Sequence, residues 1–356
     1  MAITLTNLAR LADLGFDDII DVRSPSEFAE DHLPGAINLP VLDDEERARV
    51  GTIYKQVAPF AAKKIGAALV ARNSARHLEQ SLASREGGWR PLVYCWRGGT
   101  RSGSFATILQ QIGWRAETLA GGYKTFRALV VKALYEVPVA APVIVLDGNT
   151  GSAKTDILQR LAARGHQVID LEGLANHRGS LFGSRGDQPS QKAFETSLAM
   201  ALSRLDPGRP VLVEAESSKV GDLRVPPKLW VAMTRAPRLV LDIPRPARAD
   251  YLTRAYADLI ADPTRTRAVV DQLRPQHPAE RIAEWQAMIG AGAWRELADS
   301  LMQHHYDPRY ARHRARMAVP HVEIAGRALD GAGLETLTDR IEQELPDLLT
   351  KPAMQS

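Results

Sequence analysis

Cys95 is the only cysteine in the 356 residues, and its surroundings decide how it reads. It follows the apolar run Leu92-Val93-Tyr94, and Trp96-Arg97-Gly98-Gly99 then leads into Thr100-Arg101-Ser102. Phe105, Ile108, Leu109 and Ile112 keep helical spacing as far as Gly113. A strand, a glycine-bearing loop and a helix are therefore expected in that order. A lone cysteine is more often a small buried hydrophobe than a reagent. At the mouth of such a loop, however, the thiol faces backbone N–H groups, the positive end of a helix and two arginines, all of which favour thiolate. Cys95 is thus expected to be a nucleophile, with Arg97 and Arg101 gripping an oxyanion beside it. A single cysteine excludes an internal disulfide and a cysteine-based zinc site.

A second constellation begins at the apolar run Val143-Ile144-Val145-Leu146, which ends in Asp147 and Gly148-Asn149-Thr150-Gly151-Ser152-Ala153-Lys154-Thr155. Ile157, Leu158 and Leu161 follow at helical spacing up to Gly165. This is a phosphate-binding loop between a strand and a helix: backbone N–H groups turn toward phosphate oxygens, Lys154 adds a charge, and Thr155 is placed to hold Mg²⁺. Ala153 stands where the pattern asks for glycine, so its Cβ is expected to narrow the cradle. Another strand, Val211-Leu212-Val213, runs into Glu214-Ala215-Glu216. Either glutamate is a candidate to order a metal or water beside the loop; a solvated strand end is the competing reading. Asn176, His177 and Arg178, followed by glycines, make a poor core and a good binding loop.

Charge is distributed unevenly. The net charge is only +3, yet Thr234 to Met317 holds fourteen arginines, no lysine and ten acids, interleaved with aromatics. Arg309, Tyr310, Arg312, Arg314 and Arg316 form the densest part, the pattern of a phosphate-backbone contact. An arginine-rich solvated helix face is the alternative.

Several of these stretches carry a resemblance. The Cys95–Arg101 loop of seven residues is of a kind used by rhodanese-type sulfurtransferases, certain cysteine phosphatases and arsenate reductases. Upstream, the strand Ile19-Ile20-Asp21-Val22-Arg23, the helix start Ser24-Pro25-Ser26-Glu27 and Asp31-His32-Leu33-Pro34-Gly35-Ala36-Ile37-Asn38-Leu39-Pro40 resemble the rhodanese signature. That likeness gives Asp21 and Arg23 a supporting role. A plain rhodanese loop is one residue shorter, so this one suits a tetrahedral phosphorus group. Taken with the 170–183 stretch, Gln188 to Glu195 and the late run from His304 to Tyr310, the whole chain resembles the bacterial tRNA 2-selenouridine synthases.

The resemblance implies a transferase acting on tRNA with 2-thiouridine at the wobble position. Geranyl diphosphate would alkylate the sulfur, and selenium from selenophosphate would then displace the geranylthio group. It implies no tightly bound cofactor, Mg²⁺ as an accessory, a selenophosphate synthetase as a partner, and a cytoplasmic location without membrane. Geranyl diphosphate would rest on Gly148 to Thr155 and selenophosphate at Cys95; whether Cys95 forms a perselenide is left open. Two other readings compete: a rhodanese or phosphatase fused to an ATP-dependent kinase without RNA, and a scaffold with two vestigial pockets. Retention of Cys95, Arg101, Lys154 and Thr155 weighs against the last.

The length allows two α/β domains with sizeable cores. A rhodanese-like parallel-sheet domain is expected over 1–135. A P-loop NTPase-like domain is expected over 136–356, after a linker at Val137 to Pro142. A strand from His321 to Ile324 and a helix bearing Leu334, Leu337, Ile341 and Leu345 should return to the second sheet, which makes about 246–318 a helical insertion. No apolar run is long enough to span a bilayer, and no signal peptide is evident.

Overall fold

The structure, a computed structural model, describes residues 2–315 and 319–350. Arg316, the last of the arginines expected to meet RNA, lies outside the described residues. The chain forms two compact units, Met1–Val137 with Pro189–Arg204, and Pro138–Gln188 with Leu205–Ser356.

The first unit is built on five parallel strands: β1 (Ala2–Ile3), β2 (Asp18–Asp21), β3 (Ala36–Asn38), β4 (Pro91–Tyr94) and β5 (Glu117–Leu119), in the order β1-β5-β4-β2-β3. Every residue of β4 is buried, as a strand covered on both faces requires. The helix after Cys95 spans Thr100–Ile112 and stops at Gly113 in the left-handed region. Its buried face is Ser102, Phe105, Ala106 and Leu109, while Ile112 is exposed, so the apolar stripe is shorter than the spacing suggests.

The first unit also contains a segment the expected 1–135 boundary leaves out. The helix Gln191–Ser203 packs here because its polar residues find partners here. Thr196 Oγ1 donates to Asp31 at 2.9 Å, and Glu195 accepts from Tyr135 at 2.7 Å and from Arg127. Glu195 and Thr196 are buried, and polar groups that far from water need such partners.

The second unit carries β6 (Val143–Gly148), β7 (Gln167–Ile169), β8 (Val211–Glu214), a small antiparallel pair β9 (Lys219–Val220) and β10 (Leu223–Arg224), β11 (Arg238–Asp242) and β12 (His321–Ala325). The main sheet is parallel, in the order β12-β11-β6-β8-β7. The phosphate-loop helix, Lys154–Ala163, ends before Gly165, and the last helix, Gly331–Thr350, buries Leu334, Leu337, Ile341 and Leu345 against the same core. Between β11 and β12 the helices run from Arg245 to Arg314, filling the place expected for the insertion. They close their own core around Trp285, whose indole N–H donates to Ser300 at 2.9 Å.

Candidate functional site

In the first unit Cys95 sits at the end of β4, only 3 % exposed. The segment after β5 fastens its loop: the Tyr123 and Lys124 amides donate to the carbonyls of Cys95 and Trp96, each at 2.9 Å. Gly122 makes this approach possible, since a Cβ there would lie 2.1 Å from the Cys95 carbonyl oxygen. Burial alone would raise the thiol's pKa. The Ser102 hydroxyl 3.2 Å from Sγ, the Ser102 amide, the Arg101 charge and the Arg97 amide outweigh it and hold Cys95 below its ordinary value. These contacts shift the balance toward thiolate.

Arg101 is held in place. Its guanidinium donates to Glu27 at 3.0 Å, and Glu27 also accepts the Ser24 amide at 3.2 Å while closing the start of the helix Pro25–Glu30. Burial opposes the charge on Glu27, but Arg101, Ser24 and Arg47 keep its pKa below the usual carboxylate range. Arg97 is exposed at the rim. Asp21 and Arg23 do not face this cleft. They form a buried pair at 2.6 Å, with Arg23 also donating to the Asp31 carbonyl and lying 4.0 Å over the Tyr123 ring. Their support reaches the loop through Tyr123.

The cleft over Cys95 holds about 840 Å³. Its other wall is a pair of helices, Asp44–Gln56 and Pro59–Glu79, which contribute Arg47, Lys55 and Lys63. With Arg97 and Arg101 that makes five cations and no acidic residue among the lining. The local pattern around Cys95 gives no sign of these three side chains. Such a cup receives an anion.

The second unit places Gly151 to Thr155, Glu172, Arg178, Glu216 and Tyr310 around one cleft of about 760 Å³. Lys154 Nζ donates to the Gly148 carbonyl at 3.1 Å, and the Tyr310 ring lies 5.9 Å from it. Burial pulls the Lys154 pKa down, but Tyr310, Glu172, Glu216 and Asp147 more than compensate, so it stays charged. Ala153 has φ 58° and ψ 32°, the left-handed region, which costs an L-residue about 1–2 kcal/mol. It is buried within the core cluster of Ile157 and Leu158. It also borders the cleft that its methyl is expected to narrow. The Ser152 hydroxyl is buried and has no partner, as a loop built around an anion would leave it.

Glu172 is the residue that local pattern missed. Thr155 Oγ1 donates to it at 2.8 Å, and Glu216 shares a hydrogen bond with it. Burial and Glu172 push Glu216 up to about 8, against the pull of Lys154. Glu214 is fully buried behind the site. Its Oε1 accepts the Glu172 amide at 2.6 Å, Oε2 has no partner, and burial beside Glu172 and Asp170 keeps its pKa far above the usual range. Glu214 therefore positions Glu172 and does not reach the cleft. Gly179 lets the chain cross both other carboxylates, because a Cβ would meet Glu216 at 2.4 Å and Glu172 at 2.9 Å.

The other expected residues divide. Arg178 lines the cleft and pairs with Asp258 at 2.9 Å, over the Tyr256 ring. His177 accepts the Gly179 amide at 3.1 Å through Nδ1, and burial lowers its pKa, so it shapes the loop as a neutral ring. Asn176 takes a left-handed turn and donates to the Asp187 carbonyl. Neither lines the cleft. Of the arginine-rich helix Asp307–Arg314, Arg314 donates to Asn149 of the phosphate loop and Tyr310 stands at Lys154, while Arg309 and Arg312 are exposed. Arg248 ties that helix down, donating to Asp307 at 2.7 Å and to the Thr150 carbonyl at 3.0 Å.

Among the described residues, no group of three or more His, Cys, Asp or Glu side chains is arranged to hold a metal. Thr155, Glu172 and Glu216 nevertheless offer three hard oxygen donors, the kind that suit Mg²⁺ completed by phosphate oxygens. Among the described residues, no helix is long and apolar enough to cross a membrane.

Comparison with known proteins agrees with both units. A family model described as the tRNA 2-selenouridine synthase AAA domain matches residues 141–274, and a rhodanese-like domain model matches residues 4–129. A tRNA 2-selenouridine synthase of Chromohalobacter salexigens is 41% identical over 244 residues, 68% of this chain and 66% of its own. One of Alcanivorax borkumensis is 35% identical over 325 residues, 82% and 88% of the two chains. One of Cupriavidus pinatubonensis is 32% identical over 348 residues, 87% and 92%. The matched region thus spans just under two thirds of the first relative and most of the other two. The shared order of a rhodanese-like unit and a P-loop unit, matched at this identity along most of two such relatives, shows that the chain belongs to the tRNA 2-selenouridine synthase family.

Proposed function

We propose that this chain converts 2-thiouridine at the wobble position of tRNA into 2-selenouridine through an S-geranyl intermediate. The observation that carries the proposal is the presence of two separate anion sites of different design. One is a cysteine with a lowered pKa in a cleft lined by cations, the other a phosphate loop with a charged lysine.

In the first step the thiocarbonyl sulfur attacks C1 of geranyl diphosphate. The C–O bond breaks, and diphosphate leaves with the electron pair. Lys154 and the loop amides hold the diphosphate, and bound negative charge is worth most to a leaving group in such a dry cradle. Mg²⁺, held by Thr155 with Glu172, would supply further charge stabilisation when bound. In the second step the selenium of selenophosphate attacks C2, the C–S bond breaks and geranylthiolate leaves; water then cleaves the Se–P bond, releasing phosphate and leaving 2-selenouridine. Alkylation is what makes that sulfur a leaving group. Arg101, fixed by Glu27, and the other four cations hold the phosphate end of selenophosphate beside Cys95. A selenophosphate synthetase is the source of that donor and a proposed partner, and the cytoplasm is the compartment that supplies both. Exposed Arg309 and Arg312 are proposed to contact tRNA phosphates.

The test is reconstitution. Purified protein, tRNA bearing 2-thiouridine and geranyl diphosphate should yield S-geranyl-2-thiouridine by nucleoside mass spectrometry, and adding selenophosphate should convert it to 2-selenouridine. Consumption of ATP with no change in the nucleoside would favour the kinase reading instead.

A further inference from the structure

Beside the phosphate loop, the helices between β11 and β12 enclose a second, narrower cavity of about 80 Å³. Its walls include Phe182, Leu259, Ile260, Leu297 and Leu301, most of them members of the core cluster around Trp285. No charged or amide side chain lines it. Two of its threonines are already engaged: Thr253 donates to the Asp250 carbonyl at 2.8 Å and Thr266 to the Leu259 carbonyl at 2.7 Å. The Tyr306 hydroxyl is a buried wall atom without a partner, but it is too little to satisfy the several edge donors and acceptors of a nucleobase, and burying those unpaired is costly. A hydrocarbon has no such groups to bury. The cavity also meets the phosphate cleft, because Thr150, Ser180, Leu252 and Tyr256 bound both. At that junction the Ser180 and Tyr256 hydroxyls lie 3.2 Å apart, which gives the apolar cavity a polar mouth.

We infer that this cavity receives the far end of the tail of a prenyl diphosphate whose head lies on the phosphate loop, and that its small volume sets the preferred chain length. The inference rests on the prenyl-donor reading above and adds to it the place and the selectivity. At about 80 Å³ the cavity takes a few methyl and methylene groups, and a whole purine is larger than that. Each methylene buried there should contribute about fourfold in affinity.

Calorimetry on the full chain tests this, with inorganic diphosphate and geranyl diphosphate as the two probes. Geranyl diphosphate should bind about a hundredfold tighter than inorganic diphosphate. Ala298 lines the cavity on the helix Trp294–Leu301. Ala298→Phe should bring the two affinities to within about fivefold of each other by weakening geranyl diphosphate alone, with thermal melting confirming the fold. Leu301→Ala should shift preference toward the fifteen-carbon farnesyl diphosphate. Equal binding of the two probes by wild type, or an unchanged ratio in a folded Ala298→Phe protein, overturns the inference. Should Ala298→Phe not fold, the wild-type ratio and the Leu301→Ala shift decide. A large ratio without any S-geranyl nucleoside would instead sink the proposed reaction and leave the cavity's ligand standing.

Discussion

Lys154→Ala should abolish geranyl transfer while leaving selenation of a pre-alkylated tRNA intact. The lysine is the charged donor of the phosphate loop, and it lies 3.1 Å from the Gly148 carbonyl inside the cradle. Removing a charge-assisted hydrogen bond of this kind costs about 1.5–3 kcal/mol. Diphosphate affinity should therefore fall by about 10- to 150-fold, and more in the transition state, where the leaving group's charge is greatest. The turn itself should survive, since the Ser152 amide bonds the Asn149 carbonyl at 3.1 Å without help from the lysine. With 2-thiouridine tRNA the variant should give neither product. With tRNA already carrying S-geranyl-2-thiouridine it should form 2-selenouridine at the wild-type rate. A folded variant that fails this rescue would show that the two steps are not divided between the two loops.

Cys95→Ser should give the mirror image. The bonds that fasten the loop run from the Tyr123 and Lys124 amides to the Cys95 and Trp96 carbonyls, so they do not depend on the side chain. The fold and geranyl transfer should be retained. Selenium incorporation should fall by on the order of a thousandfold or more, the usual consequence of deleting a group on which the chemistry turns. A serine hydroxyl in the same place is not ionised at neutral pH, whereas Ser102 and Arg101 favour the Cys95 thiolate. The S-geranyl nucleoside should therefore accumulate in this variant. Normal 2-selenouridine formation by it would remove Cys95 from the mechanism.

Both candidate loops were legible because their signals are local. A buried strand, a turn rich in glycine and a helix of 3.6-residue spacing are neighbours in sequence, so Cys95–Arg101 and Gly148–Thr155 could be placed on their elements. What escaped is what the tertiary fold brings in from elsewhere. Lys55 and Lys63 come to the Cys95 cleft from helices that carry no signature of it. Glu172 meets Thr155 across 17 positions and joins Glu216 at the cleft, while the Glu214 side chain turns back to hold the Glu172 amide. Tyr310 and Arg314 read as part of a basic stripe, yet the Arg248–Asp307 pair docks their helix on the phosphate loop. Ala153 shows a subtler limit. A residue type at odds with a motif predicts strain, and the left-handed backbone is there, but the sequence does not say that the residue is shared between the core and the cleft.

The central claim is that this one chain exchanges the sulfur of wobble 2-thiouridine for selenium. Mass spectrometry of nucleosides from total tRNA tests it most directly, in cells with and without the gene grown on selenite. 2-Selenouridine is expected only where the gene is present, with 2-thiouridine rising correspondingly where it is absent. Equal 2-selenouridine in both would contradict it.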